Sequence, residues 1–434
     1  MSPPVIAIEE REYPYAFVEL AFPRGGRLDP EGLEGLTTVT AEMLLRGAGP
    51  LGYEAFQEAL EDLGASLDVT ATREAVIVSG ECLTASCDQF FALVRDALLR
   101  PRLEAKELDR VVRQFVAELE EVKDNDEELA QEAFVQLLLA PDPGSRPLRG
   151  TPTSLKRIRI RDIKQCAERL LVSEGTVLGS AGDLDSETLD AALGRGLGLP
   201  DRPLPPTAPW LARPAEGIEV WLVDKPDRTQ TQIFAGHAAP AITHPDIHAL
   251  TVANTIFGGT FTARLSHEIR EKRGWSYGAY STFAAGRDLP GAPDTGSFWF
   301  RYYPATKDAI PALSLGLEML RAFAAEGPTE AEVEFAKRYL LNQLPFRTET
   351  PMKRLAEAIQ CRLLGLPPDA LERHLAAVAA LERPAVAAAA ARWLRPDDLR
   401  VVMVCTAAEV VDAVRAIPGV RSVHVVPHTA DRFA

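Results

Sequence analysis

The 434-residue chain is 46% apolar and 25% charged, the balance of a globular protein long enough for two or more domains. Its net charge of −15 argues against nucleic acid or an anionic membrane as the main partner, because those interfaces need clustered lysine and arginine. No run of 18 apolar residues occurs, so we expect no membrane span. The N-terminus lacks a basic segment followed by an apolar one, which predicts a cytoplasmic protein, or a periplasmic one if a leader was removed.

The predicted elements of the first half recur in the same order in the second half. The first half predicts a strand, two helices, two strands and two helices, at 16–22, 32–46, 53–63, 66–72, 75–82, 86–99 and from 105. Their counterparts are 229–235, 246–256, 262–273, 276–284, 296–303, 307–324 and from 331. Each half ends in a further α/β unit, at 170–182 and 399–405. This pattern indicates a duplication of a whole domain rather than a solenoid of short repeats.

A proline-rich segment joins the two halves. Residues 199–217 contain six prolines, which cannot continue a helix or a central strand, so a semi-rigid linker is predicted. We expect an N-terminal domain at 1–198, the linker at 199–217 and a C-terminal domain at 218–434. Alternating strands joined by turns or helix pairs favour an α+β fold, in which each domain is a largely antiparallel sheet with helices on one face.

The cysteines are odd in number and scattered, which favours reduced, mostly buried thiols over a disulfide framework. They are Cys82, Cys87, Cys166, Cys361 and Cys405. Cys82 and Cys87 are close in sequence, at a predicted strand end and helix start. They lack the second pair of ligands that a structural zinc site needs.

The histidines and one glycine-rich segment do not form a recognisable site. His244 and His248 have the i,i+4 spacing of two metal ligands on one helix face, but Pro245 between them predicts a helix start. A surface helix start is therefore the preferred interpretation over a metal site. The segment 194–198 follows a helical pattern, so it is interpreted as a helix end and not as a dinucleotide-binding loop.

The segment 270–277 predicts a helix end, a glycine stop at Gly274 and a strand start. This corner places the guanidinium of Arg270 near the phenol of Tyr277, and such a pair can donate hydrogen bonds to one developing oxyanion. Alternatively, Arg270 belongs to a solvated charged run at 267–273 and Tyr277 is a half-buried strand residue. Trp275 and Phe261 are interpreted as core or subunit-contact residues.

Several segments together resemble one family. They are 35–47, 148–151, 223–230, 257–265 and 269–277. The chain resembles the pitrilysin or insulinase type of inverted zinc peptidase, in its two-subunit bacterial and mitochondrial-processing-peptidase-like branch. The last two segments are the most specific, and the resemblance covers nearly the whole chain.

The resemblance implies that this chain binds no metal. In the family, His-x-x-Glu-His on a helix binds zinc, and its glutamate activates the attacking water. By position, the motif falls here on Thr38, Ala41 and Glu42, and the third ligand on Glu118. Alanine cannot act as a base, and Glu118 has no histidines beside it. Zn²⁺ is therefore expected in a partner subunit.

The resemblance also implies a function for Arg270 and Tyr277, which match a family pair that closes over the scissile carbonyl. The implied protein is the non-catalytic subunit of a heterodimeric zinc metalloendopeptidase, inactive alone and half of a clamshell chamber. Its partner would be a homologous catalytic subunit with an intact His-x-x-Glu-His, and its substrate a peptide or unfolded polypeptide. The alternative is a peptidase-like scaffold or peptide-binding homodimer. An active enzyme with an unusual metal site is a third interpretation.

Overall fold

The structure, a computed structural model, describes residues 3–204, 210, 214–285 and 295–433. The chain forms two compact units. The first comprises Met1–Leu119, Arg146–Ala208 and Leu344–Ala370, and the second comprises Glu120–Ser145, Pro209–Gln343 and Leu371–Ala434. Each unit thus includes one segment from the other half of the chain. The predicted domains 1–198 and 218–434 do not include this exchange of segments. Parts of the predicted linker, at 205–209 and 211–213, lie outside the described residues.

The strands and helices of the described residues follow in chain order. The strands are β1 (Val5–Glu9), β2 (Tyr15–Pro23), β3 (Ser66–Ala71), β4 (Ala75–Leu83), β5 (Val177–Gly182), β6 (Ile218–Asp224), β7 (Gln232–Ala239), β8 (Ala279–Ala285), β9 (Gly296–Tyr302), β10 (Arg400–Cys405) and β11 (Val420–Pro427). The α-helices are α1 (Leu36–Leu44), α2 (Tyr53–Asp62), α3 (Cys87–Leu99), α4 (Ala105–Asp124), α5 (Asp126–Leu139), α6 (Pro152–Leu155), α7 (Ile160–Leu170), α8 (Ser186–Leu189), α9 (Ile247–Phe257), α10 (Arg264–Ser266), α11 (Ala309–Glu326), α12 (Glu330–Asn342), α13 (Leu344–Thr348), α14 (Pro351–Leu363), α15 (Ala370–Ala380), α16 (Arg383–Trp393) and α17 (Ala407–Arg415).

Each unit contains one mixed sheet in which antiparallel pairs predominate. The order of the first sheet is β1-β5-β2-β4-β3, and only β1 and β5 pair in parallel. The order of the second sheet is β11-β6-β10-β7-β9-β8, where β6 pairs in parallel with β11 and β10. The predicted α+β fold with largely antiparallel sheets covered by helices is confirmed.

Helices cover both faces of the first sheet, not one face as predicted. The β2 residues Ala16, Val18, Leu20 and Phe22 point into the larger core, while Ala21 points to a second core that is completed by α14. Gly179 of β5 permits this contact, since a Cβ there would lie 2.6 Å from the Leu355 side chain. Burial on both faces removes the alternation that marks a one-sided strand, and every residue of β5 is buried.

The second sheet is covered in the same way. In β10, Val401 and Met403 belong to the main core of the unit, whereas Val402 and Val404 pack against α5 with Phe134. Helix α5 comes from the first half of the chain, and α14 on the first sheet comes from the second half. Among the described residues, no helix has the length and apolar character that crossing a membrane requires.

Strand β8 begins at Ala279, three residues later than the predicted start. The hydroxyl of Ser276 donates to the carbonyl oxygen of Gly278 at 2.6 Å and accepts from the backbone N–H of Tyr303 at 3.0 Å. Because Ser276 supplies these hydrogen bonds, the chain bends at 276–278 instead of continuing the ladder. Tyr277 therefore lies at a bend that precedes the strand.

Candidate functional site

The positions that correspond to the zinc motif lie on α1. The Thr38 hydroxyl donates to the carbonyl oxygen of Leu148 at 2.7 Å, which ties α1 to the segment at 148–151. Ala41 is 1% exposed and packs in the core, and its methyl side chain has no atom that could bind a metal or accept a proton. The start of α1 is fixed by Asp29, whose two carboxylate oxygens each accept from the Thr37 N–H at 3.1 Å. Helix α1 thus corresponds in position to the helix that carries His-x-x-Glu-His in the family, but it lacks the side chains that bind zinc and activate water.

An arginine connects the two remaining acidic positions. Arg46 pairs with Glu42 through Nε at 2.8 Å and Nη2 at 2.5 Å, and its Cζ lies 4.6 Å from the ring centroid of Tyr53. The same Nη2 donates to Gln114 at 3.0 Å, and the Gln114 amide donates to Glu118 at 2.9 Å. Sequence reasoning missed this network because Arg46 and Gln114 are 68 residues apart.

The residues at the degenerate site do not fit a zinc ion. The Glu42 carboxylate is already paired with a guanidinium, and the Arg46 side chain is only 10% exposed. A fixed cation next to these carboxylates opposes the entry of a divalent metal. Across the part of the chain that the structure describes, no group of three or more His, Cys, Asp or Glu side chains is placed to hold a metal.

Arg270 lies in a wide turn at the end of a short helix. The predicted helix 262–273 is α10 followed by a π-type turn at His267–Glu271, in which the Lys272 N–H donates to the carbonyl oxygen of His267. Such turns are frequent at functional sites. The predicted glycine stop is confirmed: Gly274 has φ 63°, and its N–H donates to the Arg270 carbonyl oxygen at 3.0 Å.

The other charged side chains of the run 267–273 are paired with one another. Glu268 accepts from Lys272 and from Arg273, and these hydrogen bonds lower the pKa of its carboxyl. The His267 Nδ1 lies 2.8 Å from an Oε2 of Glu271. Within the described residues, Arg270 has neither a hydrogen bond nor an ion pair through its side chain. It is the cation of this run that a ligand can still engage.

Two aromatic rings hold the guanidinium of Arg270. Its Cζ lies 3.8 Å from the ring centroid of Phe261 and 4.9 Å from that of Tyr277. Phe261 is 49% exposed, so it is not a core residue, and a subunit contact remains the other interpretation of it. Tyr277 is 75% exposed, so it is not the half-buried strand residue of the alternative interpretation. Cation–π contacts use the faces of the guanidinium, while its N–H donors point outward in its plane. Trp275 does pack against the core of its unit, as expected.

Two glycines hold the loop that carries Phe261 close to strand β8. The N–H groups of Gly258 and Gly259 both donate to the carbonyl oxygen of Asn254, and the Ser281 N–H donates to that of Gly258 at 2.9 Å. A Cβ at Gly258 would lie 2.6 Å from the Ser281 nitrogen. Glycine is therefore required for this close approach.

The other predicted positions have structural roles. His244 precedes α9 and its Nδ1 accepts from the Asp246 N–H at 3.0 Å, which confirms a helix start. His248 contacts His374, with 2.7 Å between their Nδ1 atoms, a pair that the sequence did not indicate. The segment 194–198 is a helix end, closed by Gly198 with φ 55°.

Comparisons with known proteins agree with these features. Two family models match the chain: Insulinase (Peptidase family M16) at residues 5–152 and Peptidase M16 inactive domain at residues 157–340. The chain is 27% identical over 371 residues to the "Non-peptidase homolog YmxG" of Helicobacter pylori, covering 84% of this chain and 83% of the relative. It is 26% identical over 285 residues to an uncharacterized zinc protease of Mycobacterium leprae, covering 64% and 62%.

A solved structure shares the fold over almost the whole length. The crystal structure of a peptidase M16 inactive domain from Pseudomonas fluorescens aligns with a TM-score of 0.84 and 23% identity, covering 98% of this chain and 96% of that one. The fold, the two family matches and the missing zinc ligands lead to one conclusion. The chain belongs to the M16 peptidase family, of the insulinase or pitrilysin type, as an inactive homologue that lacks His-x-x-Glu-His.

Proposed function

We propose that this chain is the non-catalytic subunit of a heterodimeric zinc metalloendopeptidase, in which Arg270 and Tyr277 donate hydrogen bonds to the carbonyl oxygen of the scissile bond. The observation that carries this proposal is that, among the described residues, the Arg270 side chain has two aromatic contacts but no hydrogen bond or ion pair. Its guanidinium is held by two exposed rings, while the neighbouring charges of the run neutralise one another.

The chemistry of this corner suits a developing oxyanion. A peptide carbonyl oxygen gains negative charge as the tetrahedral intermediate forms, and donors fixed in advance stabilise that charge without reorganising. The rings of Phe261 and Tyr277 restrict the guanidinium of Arg270, so little side-chain entropy is lost when it binds. The exposed phenol of Tyr277 can supply a second donor to the same oxygen.

In this proposal, the residues at the zinc-motif positions of the chain do not supply the attacking hydroxide. Ala41 stands where the family has its general base, and Glu42 is engaged by Arg46. The proposal therefore assigns the zinc ion and the water-activating glutamate to a homologous partner subunit with an intact His-x-x-Glu-His. A peptide or unfolded polypeptide is the proposed substrate, enclosed between the two subunits.

The test mixes this chain with such a catalytic subunit and measures peptide cleavage by each chain alone and by the mixture. Removing one oxyanion donor typically costs on the order of 10²–10³ in rate, so Arg270→Ala should lower kcat of the mixture by that factor. Tyr277→Phe should lower it less, since it removes one hydroxyl and keeps the ring beside Arg270. Size-exclusion chromatography should show unchanged assembly for both.

Arg273→Ala is the matched control. It removes an arginine from the same run, but one that is paired with Glu268. We expect cleavage within about twofold of wild type, because an exposed pair of this kind contributes little. If Arg270→Ala also cleaves peptide within about twofold of the wild-type rate, Arg270 has no role in turnover.

The second candidate function is a peptide-binding scaffold without a proteolytic partner. The observation that favours it is that Phe261 and Tyr277 are 49% and 75% exposed, so both rings can contact a peptide without a catalytic partner. In that case the chain alone binds an unfolded polypeptide through Phe261 and Tyr277. A stable homodimer that binds peptide, and that no His-x-x-Glu-His chain stimulates, would support it.

A further inference from the structure

Two buried thiols of the first unit lie in direct contact. Cys82 is the second-last residue of β4, and Cys87 is the first residue of α3. The short 3-10 turn at Thr84–Ser86 reverses the chain between them and brings their Sγ atoms to 3.6 Å. Both cysteines are free thiols in this structure.

The hydrogen bonds around the pair give the two thiols different roles. The Cys87 Sγ lies 3.9 Å from the carbonyl oxygen of Leu83, so Cys87 can donate there while Cys82 donates to Cys87. The hydrogen bond from Cys82 lowers the pKa of Cys87, although burial and the carboxylates of Asp88 and Asp183 act in the opposite direction. The same contact, together with burial, raises the pKa of Cys82.

The position of Cys87 adds a second feature that favours its thiolate. Cys87 begins a 13-residue helix, and the N–H groups of the first helical turn stabilise a negative charge at that end. Cys87 also lines an open cavity of about 280 Å³ together with Arg11, Thr84 and Thr188. Cys87 is 7% exposed, and this cavity brings solvent, with any small oxidant dissolved in it, up to the residue.

Other cysteines of the chain lack this combination. Burial raises the pKa of Cys166 and raises that of Cys405 to about 12. Both are buried, as Cys82 and Cys87 are, but neither lines the cavity beside Cys87. Thiolate character and access decide which thiols react, so these two serve as internal references.

We propose that Cys82 and Cys87 form a redox site at which hydrogen peroxide converts the two thiols into a disulfide. The Cys87 thiolate attacks one peroxide oxygen, so that an S–O bond forms, the O–O bond breaks and hydroxide leaves. Cys82 then attacks the sulfenic sulfur; the S–S bond forms, and the leaving hydroxide takes the Cys82 proton as water. In total, two thiols and one peroxide give one disulfide and two waters, and two electrons pass from sulfur to oxygen.

The geometry permits this closure with a local adjustment. The sulfurs must approach from 3.6 Å to about 2.05 Å, the length of a disulfide bond. The residues between the cysteines are largely at the surface, and the Leu83 side chain is 53% exposed, so the turn can move without opening the core. The disulfide then joins the end of β4 to the start of α3.

The test uses the full chain in its native state. It is treated with hydrogen peroxide for increasing times, quenched with acid, unfolded, alkylated and digested with trypsin. Cleavage after Arg73 and Arg95 places both cysteines in one peptide, while Cys166 and Cys405 each fall in a separate one. The peptide 74–95 should escape alkylation and become lighter by two hydrogen atoms, at a rate on the order of tenfold above that of the reference cysteines.

Serine variants separate the two roles. In Cys82→Ser, Cys87 should still react but accumulate sulfenic and then sulfinic acid, because no second thiol resolves it. In Cys87→Ser, Cys82 should react as slowly as Cys166. A reducing agent should restore both thiols in the wild type. Oxidation of 74–95 no faster than that of the reference peptides, or fast oxidation of Cys82 without Cys87, would overturn the proposal.

Discussion

The substitution Arg46→Met tests whether an arginine stabilises the degenerate metal site. Arg46 connects Glu42, Gln114 and the ring of Tyr53, and its side chain is 10% exposed. Methionine keeps most of the apolar stem, so the change removes the guanidinium while limiting the loss of packing. We expect the first unit to lose stability because three interactions of one largely shielded guanidinium are lost together.

The magnitude follows from those three contacts. An i,i+4 ion pair contributes about 0.5 kcal/mol, a partly shielded cation–π contact about 1 kcal/mol and a hydrogen bond to a charged group about 1.5 kcal/mol. Gln114 is exposed and Glu42 is 31% exposed, so both regain water when Arg46 is removed. We therefore expect the free energy of unfolding of this unit to fall by about 2 kcal/mol.

Arg100→Met is the matched control. Arg100 pairs with Asp96 at the same i,i+4 spacing, but its side chain is 67% exposed, and the expected loss is below about 0.5 kcal/mol. Urea unfolding should be followed by circular dichroism and, in parallel, by tryptophan fluorescence. All five tryptophans belong to the second unit, so fluorescence should change little while the circular dichroism midpoint shifts. Equal effects of the two substitutions would refute a stabilising role for Arg46.

Two further predictions concern buried groups of the second unit, where tryptophan fluorescence is the direct probe. The Lys225 ammonium is 8% exposed and donates to the carbonyl oxygens of Lys123 and Asp124, at the end of α4, and to Asp126. Lys225→Met should cost about 3 kcal/mol, because it leaves Asp126 and a helix end without their main cation, and a loss below about 1 kcal/mol would contradict this. Burial lowers the pKa of His237 to about 4 from 6.5, so the native state binds this proton less well than the unfolded state. Its contribution to stability is present above about pH 6.5 and should fall by about 3 kcal/mol as the pH drops to 4. The His237→Gln variant should lack that part of the pH dependence, and an unchanged slope would contradict the assignment.

The Arg46 network lies at the positions that correspond to the zinc motif. Glu42 on α1 and Glu118 on α4 are the two acidic side chains at these positions, and a nearby cation stabilises a carboxylate. Arg46 and Gln114 connect them through hydrogen bonds of 2.8–3.0 Å. Arg46 thus supplies a positive charge beside Glu42, and Gln114 extends the hydrogen bonds to Glu118.

The sequence alone determined the parts of this protein that depend on residue type and order. The duplication, the α+β class and the glycine stop at Gly274 follow from period and turn chemistry, which act locally. The absence of His-x-x-Glu-His is visible at Thr38, Ala41 and Glu42, because a residue either has ligand atoms or does not. The pairing of Arg270 with Tyr277 as a candidate site came from their types and spacing, and the structure places the two side chains in contact.

The tertiary structure decided which surfaces meet. Helices α5 and α14 each cover a sheet built mainly from the other half of the chain, and no periodicity specifies that partner, because the hydrophobic effect has no direction. From sequence alone, an arginine is expected to be a solvated surface cation. The position of Arg46 beside Gln114 depends on contacts between distant segments, so the sequence did not indicate it. The contact of Cys82 with Cys87 likewise required the turn at Thr84–Ser86, whose geometry fixes where the two sulfurs lie.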